Sequence, residues 1–251
     1  ETGFHSLSAA VVHERYPREA LASAFRILGE GQLSLTKFLF VTDTPMDLRD
    51  FRTVFSHVLS RVDWETDLYV FSNASMDTLD YAGPEVNKGS KGVILALGDA
   101  RRALPERFEG TLPAGITRAE VFGPGALVLE GASYADERDL PARIARHPDF
   151  AAWPFIALVD DARAAVSSVP AFLWHVFTRF EPANDLHSRE LRVQRHHLVY
   201  SGPVVFDSRM KPWYPKVVEA DEDTAALVSR RWAEYFPGGS VVMGDSHRAH
   251  V

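Results

Sequence analysis

The chain has 251 residues, 46% hydrophobic and 24% charged, with a formal net charge of −7. That balance suits a globular fold with a sizeable core and argues against a nucleic-acid backbone as partner. Cysteine is absent, which excludes disulfides, thiolate metal sites and a cysteine nucleophile, and no apolar run has the length that spans a bilayer.

The first residues, Glu1-Thr2-Gly3, hold neither a methionine nor a signal peptide and read as a start within a longer protein. Apolar residues at three- and four-residue spacing then predict a helix over 18–28, followed by a β-rich run at Phe38–Thr42 and a helix over 48–61. Strands follow at 68–71, 92–97 and 126–129, a helix at 139–147 and a strand at Phe155–Val159. The last elements are a helix over 169–180, strands at 197–200 and 203–206, and a helix over 224–235. Alternation of this kind predicts an α/β fold with sheet covered by helices.

An internal repeat organises these elements. At a constant spacing of 118 residues, His57, Val58, Arg61, Asp67 and Leu68 recur as His175, Val176, Arg179, Asp185 and Leu186. The same spacing pairs Val41 with Val159, Asp43 with Asp161, Tyr16 with Tyr134 and Phe4 with Phe122. At 119 residues Tyr81-Ala-Gly-Pro84 resembles Tyr200-Ser-Gly-Pro203. Two related strand-helix units are expected, over 1–112 and 113–251, with the seam near 110–115 and no flexible linker between them. A cation favours a helix C-terminus, so Arg61 and Arg179 are expected to end their helices and to clamp Asp67 and Asp185.

Familiar catalytic signatures are missing. There is no P-loop, no complete Gly-x-Gly-x-x-Gly, no Gly-x-Ser-x-Gly and no His-Glu-x-x-His. Asn87-Lys-Gly-Ser-Lys-Gly92 reads as a basic, glycine-rich loop whose amides and Lys91 suit a phosphate or carboxylate. Lys37, just before a strand that should be buried, either reaches the edge or faces a cleft. Asp207-Ser-Arg-Met-Lys-Pro-Trp213 places Arg209 and Lys211 beside a tryptophan, a second candidate for binding an anion or touching a neighbouring protomer. His196 and His197 are read as strand neighbours facing opposite ways, unable to share a metal. His247 and His250 fall in the tail.

Taken together the motifs resemble the C-terminal part of the UbiD decarboxylase family. Gly31-Gln-Leu-Ser-Leu-Thr-Lys-Phe38 is similar to its Gly-Gln-x-x-x-Thr-Lys-Phe, and an apolar strand ending at Asp43 and Asp47-Leu-Arg-Asp50 follow in order. Phe4-His5, Arg15-Tyr-Pro17, Arg61-Val-Asp63, Gly89-Ser-Lys91, Phe206-Asp-Ser-Arg-Met-Lys211 and Arg231-Trp232 extend the resemblance over nearly the whole chain. It is strongest to the long subgroup linked to menaquinone biosynthesis. The chain departs from shorter members in having two such units, the first without a clear Asp-Ala-Thr-Lys-Lys-like ending.

The resemblance implies a carboxy-lyase acting on an aromatic or α,β-unsaturated carboxylic acid with prenylated FMN, held through phosphate by Mn2+ and K+. It puts the catalytic carboxylates, arginine and metal ligands on a flavin-binding domain upstream of Phe4. This chain alone is then expected to hold no cofactor and to be inactive, serving as lid and assembly region. By the same resemblance the segment 72–81 turns an apolar side chain toward the cleft, with Leu79 the first candidate for substrate contact and Met76 the second. Trp232, Tyr235 and Phe236 offer aromatic area for a homo-oligomer contact. A cytoplasmic location is expected. The competing reading is a free-standing α/β binding or scaffold module without catalysis.

Overall fold

A computed structural model describes residues 6–218 and 220–241. The expectations for Glu1-Thr2-Gly3, Phe4, His5, His247 and His250 lie outside them. The first half builds a sheet from β1 (Leu7–Val11), β2 (Phe38–Thr42), β3 (Leu68–Ser75) and β4 (Lys88–Ala96), in the order β1-β2-β4-β3. Its helices are α1 (Glu19–Gly29) and α2 (Phe51–Arg61). The second half orders β5 (Ile116–Gly123), β6 (Ala126–Gly131), β7 (Phe155–Val159), β8 (Leu186–Gln194) and β9 (His197–Asp207) as β5-β6-β7-β9-β8. Its helices are α3 (Leu140–Arg146), α4 (Ala162–Val166), α5 (Val169–Phe172) and α6 (Pro182–Asp185), and α7 (Glu222–Tyr235) follows.

Every residue of β2 and β7 is buried. Both are inner, parallel-paired strands covered on each face, the setting in which strands read as unbroken apolar runs. Alternate side chains go to different places. Phe38 and Phe40 join Phe155, Ala157, Val159 and residues of α2, α4 and α5 in one core shared by both sheets. Leu39 and Val41 pack outward with Ala20 and Ala24 of α1, while Ile156 and Leu158 pack outward with Leu140 and Ile144 of α3. The shared core is aromatic. Phe55 meets Phe155 edge-on with ring centres 4.9 Å apart, and Phe122 stacks on Phe172 at 3.8 Å. Such pairs add about 0.5–1.5 kcal/mol each beyond the area they bury.

Set β5 aside, and the two sheets share strand order and direction, with three parallel strands and one antiparallel strand at the edge. The constant 118-residue spacing does not survive in the strands. Asp43 Oδ2 accepts from Gly98 N at 2.9 Å, and Asp160 Oδ2 accepts from Met210 N at 2.8 Å. Asp160, not Asp161, thus stands where Asp43 does, and Asp161 caps α4. Tyr200 lies within β9 opposite Leu191, whereas Tyr81 lies in the connection before β4, so those two stretches occupy different places.

Other expectations are corrected locally. The strands at 197–200 and 203–206 are one strand, β9. The helix over 169–180 breaks into α5 and a π-helical turn at Leu173–Phe177. The arginine clamps are absent: Arg61 Nε donates to Gly98 O at 2.8 Å and Asp67 takes Arg18 at 2.6 Å. In the second half Arg179 approaches Asp160 at 3.6 Å and Asp185 takes Lys211 at 3.0 Å. The two aspartates instead close the turn behind them, Asp67 accepting from Asp63 N at 2.9 Å and Asp185 from Glu181 N at 2.8 Å. Arg195 and His196 have φ of 52° and 62° and form the turn between β8 and β9, so the two histidines are not strand neighbours. α7 buries no residue.

Candidate functional site

The basic loop expected at Asn87–Gly92 is mostly strand, since β4 starts at Lys88. Its glycines serve packing: a Cβ on Gly89 would meet Met76 Cγ at 2.8 Å, and one on Gly92 would strike the Phe38 ring. Lys91 is turned inward and donates to Ser34 O at 2.7 Å and Thr36 O at 2.9 Å.

Lys37, one residue before β2, is fully buried. Its ammonium meets Asp80 Oδ1 and Thr178 O, each at 3.3 Å. Next along the chain, Arg179 O accepts from Lys211 Nζ at 3.0 Å and from the Tyr214 hydroxyl at 3.2 Å. Lys211 also donates to Asp207 O at 2.6 Å and pairs with Asp185. The consecutive carbonyls of Thr178 and Arg179 thus join the two lysines, one from each half, into one buried polar cluster. Arg209 grips Asp207 with two bonds of 2.8 Å and reaches the carbonyls of Ala132, Ser133 and Glu137.

Burial dominates the electrostatics of this cluster. It pushes the Lys37 ammonium down, with Asp80 opposing, and pushes the Asp185 carboxyl up, with Lys211 opposing. Glu181 is also raised by burial, against a hydrogen bond from Ser90. The Tyr214 hydroxyl is pushed up, by burial first and by the surrounding carboxylates second. Breaking such a pair strands a buried charge, a loss of about 3–5 kcal/mol.

In place of the open anion-binding role expected for Lys37, Lys91, Arg209 and Lys211, the structure shows each cation buried and bonded to carboxylate or carbonyl oxygen within the chain. This does not fit a surface for a flavin phosphate. Among the described residues no three histidines, aspartates or glutamates gather as metal ligands. Leu79 and Met76 are divided: Leu79 is 62% exposed, while Met76 is 3% exposed and faces inward over Gly89.

Beside this cluster lies a cleft of about 320 Å³ that the motifs did not reveal, lined by Tyr81, Trp174, Arg179, Lys216, Val217 and Val218. Tyr81 stands two residues after Leu79, and its ring meets Tyr214 at 5.1 Å. Val218 is 86% exposed, and Trp213, against Tyr134, is 54% exposed. The lining comes from three separate segments, so no local spacing signals it. His197 hydrogen-bonds Glu65 O through Nε2 at 3.2 Å and packs on Tyr69, away from this cleft. No helix among the described residues is long and apolar enough to cross a membrane.

The comparisons with known proteins agree with the motifs. Residues 1–96 match the family model of the 3-octaprenyl-4-hydroxybenzoate carboxy-lyase C-terminal domain. A protein from Chlamydia trachomatis serovar D is 48% identical over 237 residues, covering 94% of this chain and 40% of that protein. A Chlamydia pneumoniae relative, named as one of the subunits of a 4-hydroxybenzoate decarboxylase, shows the same identity and coverage. The chain therefore spans about 40% of the length of these curated relatives. Among solved structures, vanillic acid decarboxylase of Sedimentibacter hydroxybenzoicus in open form is 21% identical over 43% of this chain and 23% of that one, with a TM-score of 0.36. The UbiD-class enzyme HmfF of Pelotomaculum thermopropionicum, in complex with FMN, is 20% identical over 43% and 23%, with a TM-score of 0.34. Residues 1–96 thus match the C-terminal domain of the UbiD family of carboxy-lyases, and the similarity to the Chlamydia relatives extends over 94% of the chain.

Proposed function

We propose that this chain is the C-terminal, non-catalytic region of a UbiD-type carboxy-lyase and closes an active site carried by the upstream part of the same protein. The observation that carries the reading is the placing of an exposed apolar side chain, Leu79, next to a buried anchor, Asp80, whose carboxylate is tied to buried Lys37. A lid needs both: apolar side chains to exclude water from the reacting centre and a frame that fixes where they arrive. The name of the Chlamydia pneumoniae relative supports a decarboxylase context.

In this reading Leu79 contacts the substrate, an aromatic or α,β-unsaturated carboxylic acid, and Met76 supports it from beneath. Prenylated FMN, with Mn2+ and K+, is held by residues outside this chain, and supplies the electron sink for loss of carbon dioxide. Lys37, Lys91, Arg209 and Lys211 serve the frame. The two halves descend from one duplicated C-terminal unit, which the common strand order and the matching Asp43 and Asp160 bonds support. Trp232, Tyr235 and Phe236 on and after α7 supply a homo-oligomer contact, and the pathway is menaquinone biosynthesis in the cytoplasm.

Leu79→Trp in the complete enzyme tests the lid. The expected result is a changed substrate preference with kcat/KM lowered about tenfold or more, near 1.4 kcal/mol, at an unchanged Tm. Unchanged kinetics with every substrate removes the lid assignment. Release of carbon dioxide by the isolated chain Glu1–Val251, with flavin bound, overturns the whole reading.

A further inference from the structure

Arg179 is buried, with 6% of its surface exposed, yet its side chain is not satisfied. A guanidinium carries several N–H donors in a planar fork. Among the described residues none of those of Arg179 makes a hydrogen bond. Nε is enclosed without a partner, and Nη1 stops 3.6 Å from Asp160 Oδ2, which itself accepts from Met210 N. Arg61, its match in the sequence repeat, is different: Nε donates to Gly98 O at 2.8 Å and Nη1 to Ser60 Oγ at 2.9 Å. Arg209 is different too, committing Nε, Nη1 and Nη2 to Asp207 and a carbonyl. Empty donors are costly in a buried group, most of all in a charged one, and call for an acceptor.

Arg179 lines the cleft of about 320 Å³ beside the buried cluster, a volume within the range of small-molecule sites, about 300–1,000 Å³. Trp174, Tyr81, Val217 and Val218 give it apolar walls, and Lys216 adds a second cation. Trp174 stands in the π-helical turn Leu173–Phe177, an irregularity frequent at functional sites. The segment that carries Lys216 and Val217 is anchored at its start, where the Tyr214 hydroxyl donates to Arg179 O.

The charges narrow the ligand. Arg179 and Lys216 bring two positive charges, and Asp160, partly exposed beside Arg179, returns one negative charge. One positive charge is left to match. A carboxylate supplies a single negative charge and meets the guanidinium fork with two parallel bonds. A phosphate dianion brings a second negative charge, which Asp160 repels. The apolar walls ask for an apolar body behind the anionic end.

We propose that this cleft binds a small monocarboxylic acid with an apolar body, its carboxylate on Arg179 and its body against Trp174, Tyr81 and Val217. Leu79 lines no part of the cleft, so the site is independent of the lid.

Calorimetric titration of the full chain Glu1–Val251 with phenylacetate tests it, with neutral phenylacetamide and inorganic phosphate as comparisons. Phenylacetate should bind about tenfold or more tightly than phenylacetamide, and Arg179→Met should remove that preference. Because Arg179 is buried, the surface variant Lys216→Ala gives a second reading at unchanged Tm, with binding of phenylacetate about two- to fivefold weaker. No binding of phenylacetate, equal binding of phenylacetamide, or tighter binding of phosphate overturns the assignment. Affinity unchanged in both Arg179→Met and Lys216→Ala overturns it as well. Glu219 follows Val218 in the sequence, and Glu219→Gln should leave the affinity for phenylacetate unaltered. Tighter binding by that variant gives the place to the chain's own carboxylate and discards the ligand.

Discussion

The segment around α2 and the segment following Ser168 hold matching places in the shared core, yet only the first is a regular helix. Each starts at a capped position: Asp50 accepts from Thr53 N at 3.3 Å and Ser168 from Ala171 N at 3.1 Å. Each buries the matched side chains, Val54 and Val58 in one, Phe172 and Val176 in the other. α2 then runs on for eleven residues, while α5 gives way after four to a five-residue π-helical turn. The matched histidines fare differently. His57 Nε2 shares a 2.7 Å hydrogen bond with Thr42 Oγ1. His175 Nδ1 is buried and has no hydrogen-bond partner among the described residues, and the strand behind it, β7, ends in Val159, which has no hydroxyl to offer. Similar sequence thus preserves the apolar face, because that depends on spacing within the segment. Polar satisfaction depends on what other strands bring, and here they bring different residues.

The likeness of the two segments is broken most directly at the apolar face. Phe172→Ala should cost about 3–5 kcal/mol, and Val54→Ala, its counterpart, about 1–2 kcal/mol, because the ring fills far more of the common core. Urea unfolding of the two variants measures this, and equal losses would mean that the two faces do not bear on one core.

The histidines give a smaller, pH-dependent effect. Burial, with Arg179 adding to it, pushes His175 down from 6.5 to about 4. The folded protein therefore stays neutral at this ring while the unfolded chain takes up a proton, so stability falls as pH drops from about 6.5 toward 4. His175→Leu should remove about 2–3 kcal/mol of that decline. The check is unfolding free energy against pH, and parallel curves for the variant and the unaltered protein would discard the assignment.

Smallest are the caps. Asp50→Ala and Ser168→Ala should each cost about 1 kcal/mol in thermal unfolding. A neutral Ser168→Ala would show that the π-helical turn, unlike α2, is set by the core alone.

How far the sequence could be read follows from the same physics. Phe38–Thr42 and Phe155–Val159 are recognised at both ends because inner parallel strands are apolar throughout. β1, β5 and β8 escape notice: they lie at sheet edges, and Leu-Ser-Ala-Ala-Val or Leu-His-Ser-Arg-Glu-Leu-Arg-Val-Gln carries too many small or polar residues to stand out. Lys37 is conspicuous before a buried strand, but its partner Asp80 is 43 residues away and Thr178 is 141 away. Such pairings are made by topology and leave no local pattern, so an internal tie reads as a possible ligand site. Leu79 and Met76 show the limit for apolar residues. Both suit a lid by type, and only the bulge-containing edge strand β3 and the turn after it decide that one points out and the other in.

The core common to both sheets has a consequence for how this protein changes over time. Phe55 and Phe155 belong to different halves but touch each other, so a larger or smaller side chain in one must be answered in the other. A cavity opened at either ring is therefore felt on both sides of the contact.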